Sequence, residues 1–257
     1  MLGRNRIKLI KSLEHKKFRN EERLYVAEGN KLVKTLLESD TEVVFVAGTP
    51  EYLETIRDLL PRAGEWTECD EAEMSRASLL KNPQQGLALC RIPSLSLPDD
   101  AGARDLVLCS DDIQDPGNLG TIVRLANWFG ITDMVCSPGT ADIYNPKTVQ
   151  ATMGALAGVK VHYTPLLPFI RTRRHRNIPI VGTFMDGSPV YETDLPSRGI
   201  IILGNEGKGI SSELLPYITL KIAIPCLTAG PRLVDSLNVS SAAAIILSEF
   251  KRREISG

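Results

Sequence analysis

Gly199-Ile200-Ile201-Ile202-Leu203-Gly204-Asn205-Glu206-Gly207-Lys208-Gly209 is the stretch on which the fold of this chain turns. Its first half is a short, continuous apolar run, the pattern of a strand buried on both faces, as in a parallel sheet covered by helices. Its second half has glycine at 204, 207 and 209, so the backbone turns sharply and a ligand meets no Cβ. A loop at the carboxyl end of such a strand lies where open α/β sheets hold their ligands. The same pattern also fits a tight strand-to-helix turn that binds nothing. Two familiar glycine loops are excluded. The spacing from Gly204 to Gly209 suits a phosphate-binding loop, but Ile210 stands where its lysine belongs. No Gly-x-Gly-x-x-Gly follows an early strand, which argues against a dinucleotide.

Downstream, Leu220 to Ile224 reads as a strand stopped by Pro225, and Cys226 to Ser236 as a long loop of the kind that is functional or disordered. Ser236-Leu237-Asn238-Val239-Ser240-Ser241 then leads into a helix that is small and apolar early and basic at Lys251, Arg252 and Arg253, as the helix dipole favours. Upstream, the strand Asp105-Leu106-Val107-Leu108-Cys109 runs into the turn Asp111 to Asn118. A helix follows with Ile122, Leu125, Ala126 and Phe129 on its apolar face, ended by Gly130. Arg124 lies on it six residues after Asn118; it either reaches the same crevice or is solvated. Met134 to Cys136, Val159 to Tyr163 and Ile178 to Phe184 read as further strands, and Asn145-Pro146 caps another helix. The basic run Arg171, Arg173, Arg174, His175, Arg176 fits a phosphate contact or a solvated helix end.

The first half alternates in the same way. Residues 5 to 17 form an amphipathic basic helix, Leu24 to Gly29, Val43 to Val46 and Gly86 to Cys90 read as strands, and helices fall around Leu32 to Leu37 and Tyr52 to Leu60. Leu79 to Gln85 is a polar loop able to present amides to a partner. Pro93 to Gly102 breaks the texture with proline, serine and acids. The expected organisation is a domain at 1–95, a linker at 96–104 and a domain at 105–257.

Bulk composition narrows the function. With 257 residues, 43% hydrophobic and 24% charged, the chain has enough material for real cores. No apolar run reaches the roughly 20 residues of a membrane helix, and the basic N-terminus lacks a secretory apolar segment, so a cytoplasmic location is expected. Cys69, Cys90, Cys109, Cys136 and Cys226 are widely spaced and His15, His162 and His175 scattered, which indicates neither a disulfide framework nor a metal site. A net charge of −1 excludes a cationic coat but not a patch. From Arg4 to Lys34 the bases, Lys16, Lys17 and Arg19 among them, outnumber Glu14, Glu21, Glu22 and Glu28, which reads as a polyanion-binding face or a solvated helix.

Together, Asp115-Pro116-Gly117-Asn118-Leu119-Gly120 with Arg124, Gly204-Asn205-Glu206-Gly207, and Ile224-Pro225 followed by Ser236-Leu237-Asn238-Val239-Ser240 resemble the three motifs of the SpoU (TrmH) family of RNA ribose 2′-O-methyltransferases. The resemblance covers residues 105 to 250. Lys16-Lys17-Phe18-Arg19 and Val26-Ala27-Glu28-Gly29 are similar, more weakly, to the L30e-like substrate-binding domain common in that family. The resemblance implies a SPOUT fold, an α/β domain whose C-terminal segment is threaded into a trefoil knot, with a smaller α/β L30e-like domain before it. It also implies a homodimer, an RNA substrate (rRNA ahead of tRNA), and S-adenosylmethionine (AdoMet) as methyl donor.

By the same resemblance, Thr183, Leu203, Gly204, Asn205, Gly209, Ile224 and Leu237 are expected to hold the cofactor. Asn118, Arg124, Glu206, Ser236 and Asn238 are expected on the catalytic side, and Lys16, Lys17, Arg19 and Lys147 at the RNA. A sulfonium methyl loses its charge in transfer, so fixed dipoles favour the reaction and no metal is needed. Arg124 suits an emerging alkoxide or a bidentate phosphate clamp, with Glu206 orienting it or the substrate and Ser236 and Asn238 placing the ribose. Gln150 and Thr152 stand where the family often has arginine and serine, and the loop Cys226 to Asp235 is longer than usual. An RNA-binding module without methyl transfer, or a base-directed methyltransferase, are the alternatives.

Overall fold

A computed structural model of the protein describes residues 1–228 and 236–256. In chain order the elements of the first half are α1 (Arg4–Ser12), α2 (Lys16–Glu22), β1 (Leu24–Glu28), α3 (Asn30–Glu38), β2 (Val43–Gly48), α4 (Pro50–Thr55), β3 (Glu65–Glu68), α5 (Glu71–Ala77) and β4 (Gly86–Arg91). They are followed by β5 (Leu106–Ser110), α6 (Pro116–Trp128), β6 (Asp133–Cys136), α7 (Pro146–Thr152), β7 (Lys160–Tyr163), α8 (Leu166–His175), β8 (Ile180–Pro189), β9 (Gly199–Leu203), β10 (Leu220–Ala223) and α9 (Val239–Ser256). Contacts divide them into two compact units, Met1–Ser94 with Asp142–Ala157, and Leu95–Ala141 with the chain from Gly158 onward.

The first unit is built on a four-stranded sheet in the order β1-β4-β2-β3. Alternate residues of β1 serve opposite faces: Tyr25 and Ala27 join Leu32, Val33, Leu36 and Leu37 of α3, while Leu24 and Val26 join Ile10, Leu13, Phe45 and Leu89. The single basic helix expected over residues 5 to 17 is broken into α1 and α2. Arg19 explains how the break is tolerated. It is 2% exposed, and its Nη1 donates to the carbonyls of Leu13 and Glu14, both at 2.7 Å, which the end of α1 leaves without helical partners. Its Nε and Nη2 donate to Asp142 Oδ2. Arg19 is therefore a buried brace and does not reach RNA, because every face of its guanidinium is turned inward.

Two elements of this unit left no apolar signature in the sequence. β3 is an exposed edge strand of Glu, Trp, Thr and Glu paired parallel to β2, and α5 begins with a reciprocal capping box between Asp70 and Glu73. Asp142–Ala157, expected with the second half, packs in the first unit. There Val149 enters the core with Leu36 and Leu37, Thr148 and Thr152 are buried, and the Tyr144 ring lies 5.0 Å from that of Tyr25. Thr152 turns inward to donate to the Val149 carbonyl at 2.7 Å, so it is a packing residue.

The second unit is a six-stranded sheet in the order β10-β8-β9-β5-β6-β7, parallel at every pairing. Its central strands β5 and β9 are buried at all positions, as the apolar run at 199–203 requires. The order reverses direction across β5 and β9, and the loops that leave their carboxyl ends, 111–115 and 204–209, open the crevice that such a switch point creates. At the other edge, the segment expected as a linker is held by arginines. Arg173 donates to the Pro98 carbonyl at 2.9 Å, Arg176 to Asp99 at 2.5 Å and Arg198 to Ala103 at 2.8 Å, while Ala101 is buried. Arg173 also lies over Phe169, so part of the basic run staples this segment and is not presented to phosphates. Burial beside Arg176 pulls the Arg173 guanidinium below its ordinary pKa. Cys69, Cys90, Cys109 and Cys136 are buried free thiols, and Cys226 is exposed. Among the described residues no helix is long and apolar enough to cross a membrane.

Candidate active site

The loop after β9 is held by its own asparagine. Asn205 and Gly209 exchange backbone hydrogen bonds at 3.0 and 2.9 Å, and Asn205 Oδ1 accepts from the amides of Gly207 and Lys208. The Asn205 Nδ2 donates to the Asp112 carbonyl at 2.7 Å and ties this loop to the one after β5. Gly204 permits the close crossing that results: a Cβ there would stand 2.4 Å from the Gly209 carbonyl carbon and 2.5 Å from the Ile210 nitrogen. Asp111, buried at the end of β5, accepts from the Ser211 amide at 2.6 Å and fixes the far side of the loop.

β8 supplies the next wall by leaving the sheet. Its pairing with β10 jumps from Gly182 opposite Lys221 to Ser188 opposite Ile222, so residues 183–187 bulge out of the ladder. The Thr183 hydroxyl turns back to donate to the Ile202 carbonyl at 3.0 Å. This bulge, the glycine loop, Ile224 and the start of α9 enclose a cavity of about 440 Å³. Thr183, Leu203, Gly204, Asn205, Gly209, Ile224 and Leu237 all line it, as do Glu206 and Ser236. Ile210 and Ile246 add apolar surface to it, and Phe184, Met185, Gly207, Lys208, Val239 and Ala242 complete the lining. Phe184, Met185 and the α9 residues have no local signal in the sequence, because neither the bulge of β8 nor the approach of α9 is set by neighbouring residues.

Asn118 is placed by a helix start that the sequence spells out: Asp115 accepts from the Asn118 amide at 2.7 Å and Pro116 occupies the first turn. Its side chain bridges two of the motifs. Nδ2 donates to Glu206 Oε1 at 2.9 Å, and Oδ1 accepts from Asn238 Nδ2 at 2.9 Å. Asn238 in turn caps α9, its Oδ1 accepting from the Ser240 amide at 3.0 Å and the Ser240 hydroxyl at 2.6 Å. Residues 118, 206 and 238 thus form one hydrogen-bonded chain beside the cavity. Arg124 stands apart. Six helical residues carry it about 9 Å along the axis and about 240° around it from Asn118. It is exposed, does not line the cavity, and has no hydrogen-bond or ion-pair partner among the described residues. In the first unit, Lys16 and Lys17 on α2 and Lys147 on α7 are exposed, Lys17 only loosely paired with Glu21 at 3.9 Å. The loop 229–235 lies outside the described residues.

The architecture is that of SPOUT-class RNA methyltransferases. The putative RNA methyltransferase of the TrmH family from Porphyromonas gingivalis superposes with a TM-score of 0.86 at 37% identity, covering 98% of this chain and 99% of that one. The AdoMet-bound rRNA methyltransferase from Sinorhizobium meliloti gives a TM-score of 0.85 at 30% identity, covering 98% and 96%. In sequence, the 23S rRNA (guanosine(2553)-2′-O)-methyltransferase RlmP of Bacillus subtilis is 31% identical over 96% of each chain. Residues 105–248 match the SpoU rRNA Methylase family and residues 4–88 the MRM3-like substrate binding domain. The chain belongs to the SpoU family, and is an AdoMet-dependent enzyme that methylates RNA at the ribose 2′-hydroxyl.

Proposed function

We propose that the protein methylates one nucleotide of structured 23S-type ribosomal RNA, with Asn118, Arg124, Glu206, Ser236 and Asn238 at the reacting ribose. Support for the rRNA substrate comes from the ribosomal substrates named for its relatives in Bacillus subtilis and Sinorhizobium meliloti. The observation that carries the site is the hydrogen-bonded chain from Glu206 through Asn118 to Asn238 at the edge of the cavity. The cavity suits the methyl donor: its volume falls in the range of small-ligand sites, Ile210 and Ile246 give it apolar surface, and the Gly204 crossing leaves backbone exposed to a ligand. AdoMet, when bound, supplies a sulfonium methyl whose carbon–sulfur bond breaks as the carbon–oxygen bond forms.

The chain's own residues do the rest. Asn118, fixed from both sides, holds Glu206 and Asn238 in register, so that a ribose can be aligned with the donor; such alignment accounts for several kcal/mol of rate enhancement. The 2′-hydroxyl proton leaves to water, and Arg124 stabilises the oxyanion or grips the adjacent phosphate. Since Arg124 does not line the cavity of its own chain, it serves the site of a second copy in a homodimer. Trp128, 82% exposed one turn further along α6, gives that face an apolar anchor. The knotted threading of the C-terminal segment belongs to the same proposal, supported by the placement of Ser236 and Leu237 against the Gly204 loop. In the first unit, Lys16, Lys17 and Lys147 hold RNA phosphates. The reaction would take place in the cytoplasm, with the ribosomal RNA.

The test is nucleoside mass spectrometry of ribosomal RNA incubated with the protein and labelled AdoMet. A 2′-O-methyl nucleoside is expected, and a methylated base with unmodified ribose would overturn the assignment of the site. Mixing Arg124→Ala with Asn118→Ala protein should restore part of the activity that each lacks alone; no restoration would remove the shared site. A crystallographic trace whose ends draw apart freely would remove the knot.

A further inference from the structure

We infer that Arg253 is a positioning residue for cofactor binding: it clamps the three walls of the AdoMet cavity together from outside, through the turn at 190–193. The inference rests on the cofactor reading above. The walls come from distant parts of the sequence, the β8 bulge at 183–185, Ile224 after β10, and Val239, Ala242 and Ile246 on α9. Spacings of three and four put those α9 residues on one helical face. Two turns further, about 10 Å along the axis, the same face presents Arg253.

Its guanidinium makes four hydrogen bonds. Nη1 donates to the Thr193 carbonyl, Nη2 to the carbonyls of Val190 and Tyr191 at 3.0 Å each, and Nε to Glu249 Oε1 at 2.8 Å. The turn it holds directly follows β8. The Val190 amide also donates to the Ala223 carbonyl at 2.9 Å, one residue before Ile224. Arg253 thus ties the C-terminal turn of α9 to the turn after β8, and the Val190 amide carries the link on to the end of β10. Glu249, 6% exposed, aims it and also receives Arg252 at 2.8 Å. Only a planar fork serves several carbonyls and a carboxylate at once, so lysine cannot replace arginine here. Without the clamp the walls are free to separate, and binding must then order them.

Titration calorimetry of AdoMet into full-length Arg253→Ala and Arg253→Lys protein tests this, alongside melting temperature and turnover at saturating AdoMet. Both variants should raise the Kd for AdoMet roughly tenfold, equal to about 1.4 kcal/mol. Turnover at saturation should stay within about twofold of wild type, since the lost interaction is remote from the reacting atoms. An unchanged Kd in both variants, or full rescue by lysine, would overturn the clamp. Equal losses of turnover and stability at unchanged Kd would do the same. Should the alanine variant fail to fold, the lysine variant decides, as it keeps the stem and the charge. Wild-type protein that binds no AdoMet would overturn the cofactor reading, which the variants alone would not.

Discussion

Arg19 in the first unit and Arg124 in the second are the same residue type in opposite surroundings. Arg19 turns all three guanidinium nitrogens to Asp142 and two carbonyls at a helix break and is 2% exposed. Arg124 sits mid-helix, exposed, with no partner among the described residues. A buried guanidinium stabilises a fold by satisfying groups that would otherwise be stranded, whereas one held unpaired in solvent is available for a ligand. The second sheet, in whose unit Arg124 lies, leaves its carboxyl edge open around the cavity that the Gly204 loop, the β8 bulge and α9 line.

The contrast can be broken at several points. Arg19→Ala should cost about 3 kcal/mol of stability in a urea titration, because it strands the Leu13 and Glu14 carbonyls and leaves the part-buried Asp142 without its cation; a loss below about 1 kcal/mol would place Arg19 among surface pairs. Arg124→Ala should leave the urea midpoint in place yet lower methyl transfer by roughly 10²–10³-fold, the effect of removing one transition-state donor. If the two variants exchanged phenotypes, the division of roles would be wrong. Gly204→Ala forces a Cβ against the backbone of Gly209, and AdoMet affinity should fall by roughly tenfold or more as the loop shifts. Unchanged affinity would show that the crossing does not shape the cavity.

Acid gives a smaller effect. Hydrogen bonds from Arg252 and Arg253 hold the Glu249 carboxyl down to about 2. Its folded pKa thus lies below the unfolded one, so its contribution to stability is present above the unfolded carboxylate value and is lost as pH falls toward 2. The difference in urea midpoint between wild type and Glu249→Gln should therefore shrink between pH 5 and pH 3, measured by circular dichroism. A difference independent of pH would disconnect the carboxylate from the clamp. Smallest of all, neutralising Lys16, Lys17 or Lys147 singly should reduce the salt slope of RNA binding by about 1 each, whereas Arg19, being buried, should not behave as a phosphate contact.

Local pattern carried much of this. The apolar run at 199–203 became a fully buried central strand because continuous hydrophobicity has few other destinations. The Asp115-Pro116 start of α6 and the amphipathic α3 were legible because caps and 3.6-residue periodicity are short-range effects. β3 was not legible, since an exposed edge strand needs no apolar face. The break between α1 and α2 escaped because Arg19 compensates it from outside the helix, and the fastened segment at 97–103 escaped because prolines and acids look alike whether free or held by arginines.

Sequence alone determined which residues could do chemistry: the three motifs name Asn118, Glu206 and Asn238 and supply the glycines around them. Only the tertiary structure decided that these three share one hydrogen-bonded chain, that Arg19 is buried while Arg124 is exposed, and that α9 and a bulge of β8 close the cavity. The reason is range. Backbone preference and periodicity act over a few neighbours, whereas the partner of a charge or the opposite wall of a cavity is set by residues far away in the chain, as Asp142 is from Arg19 and α9 from the β8 bulge.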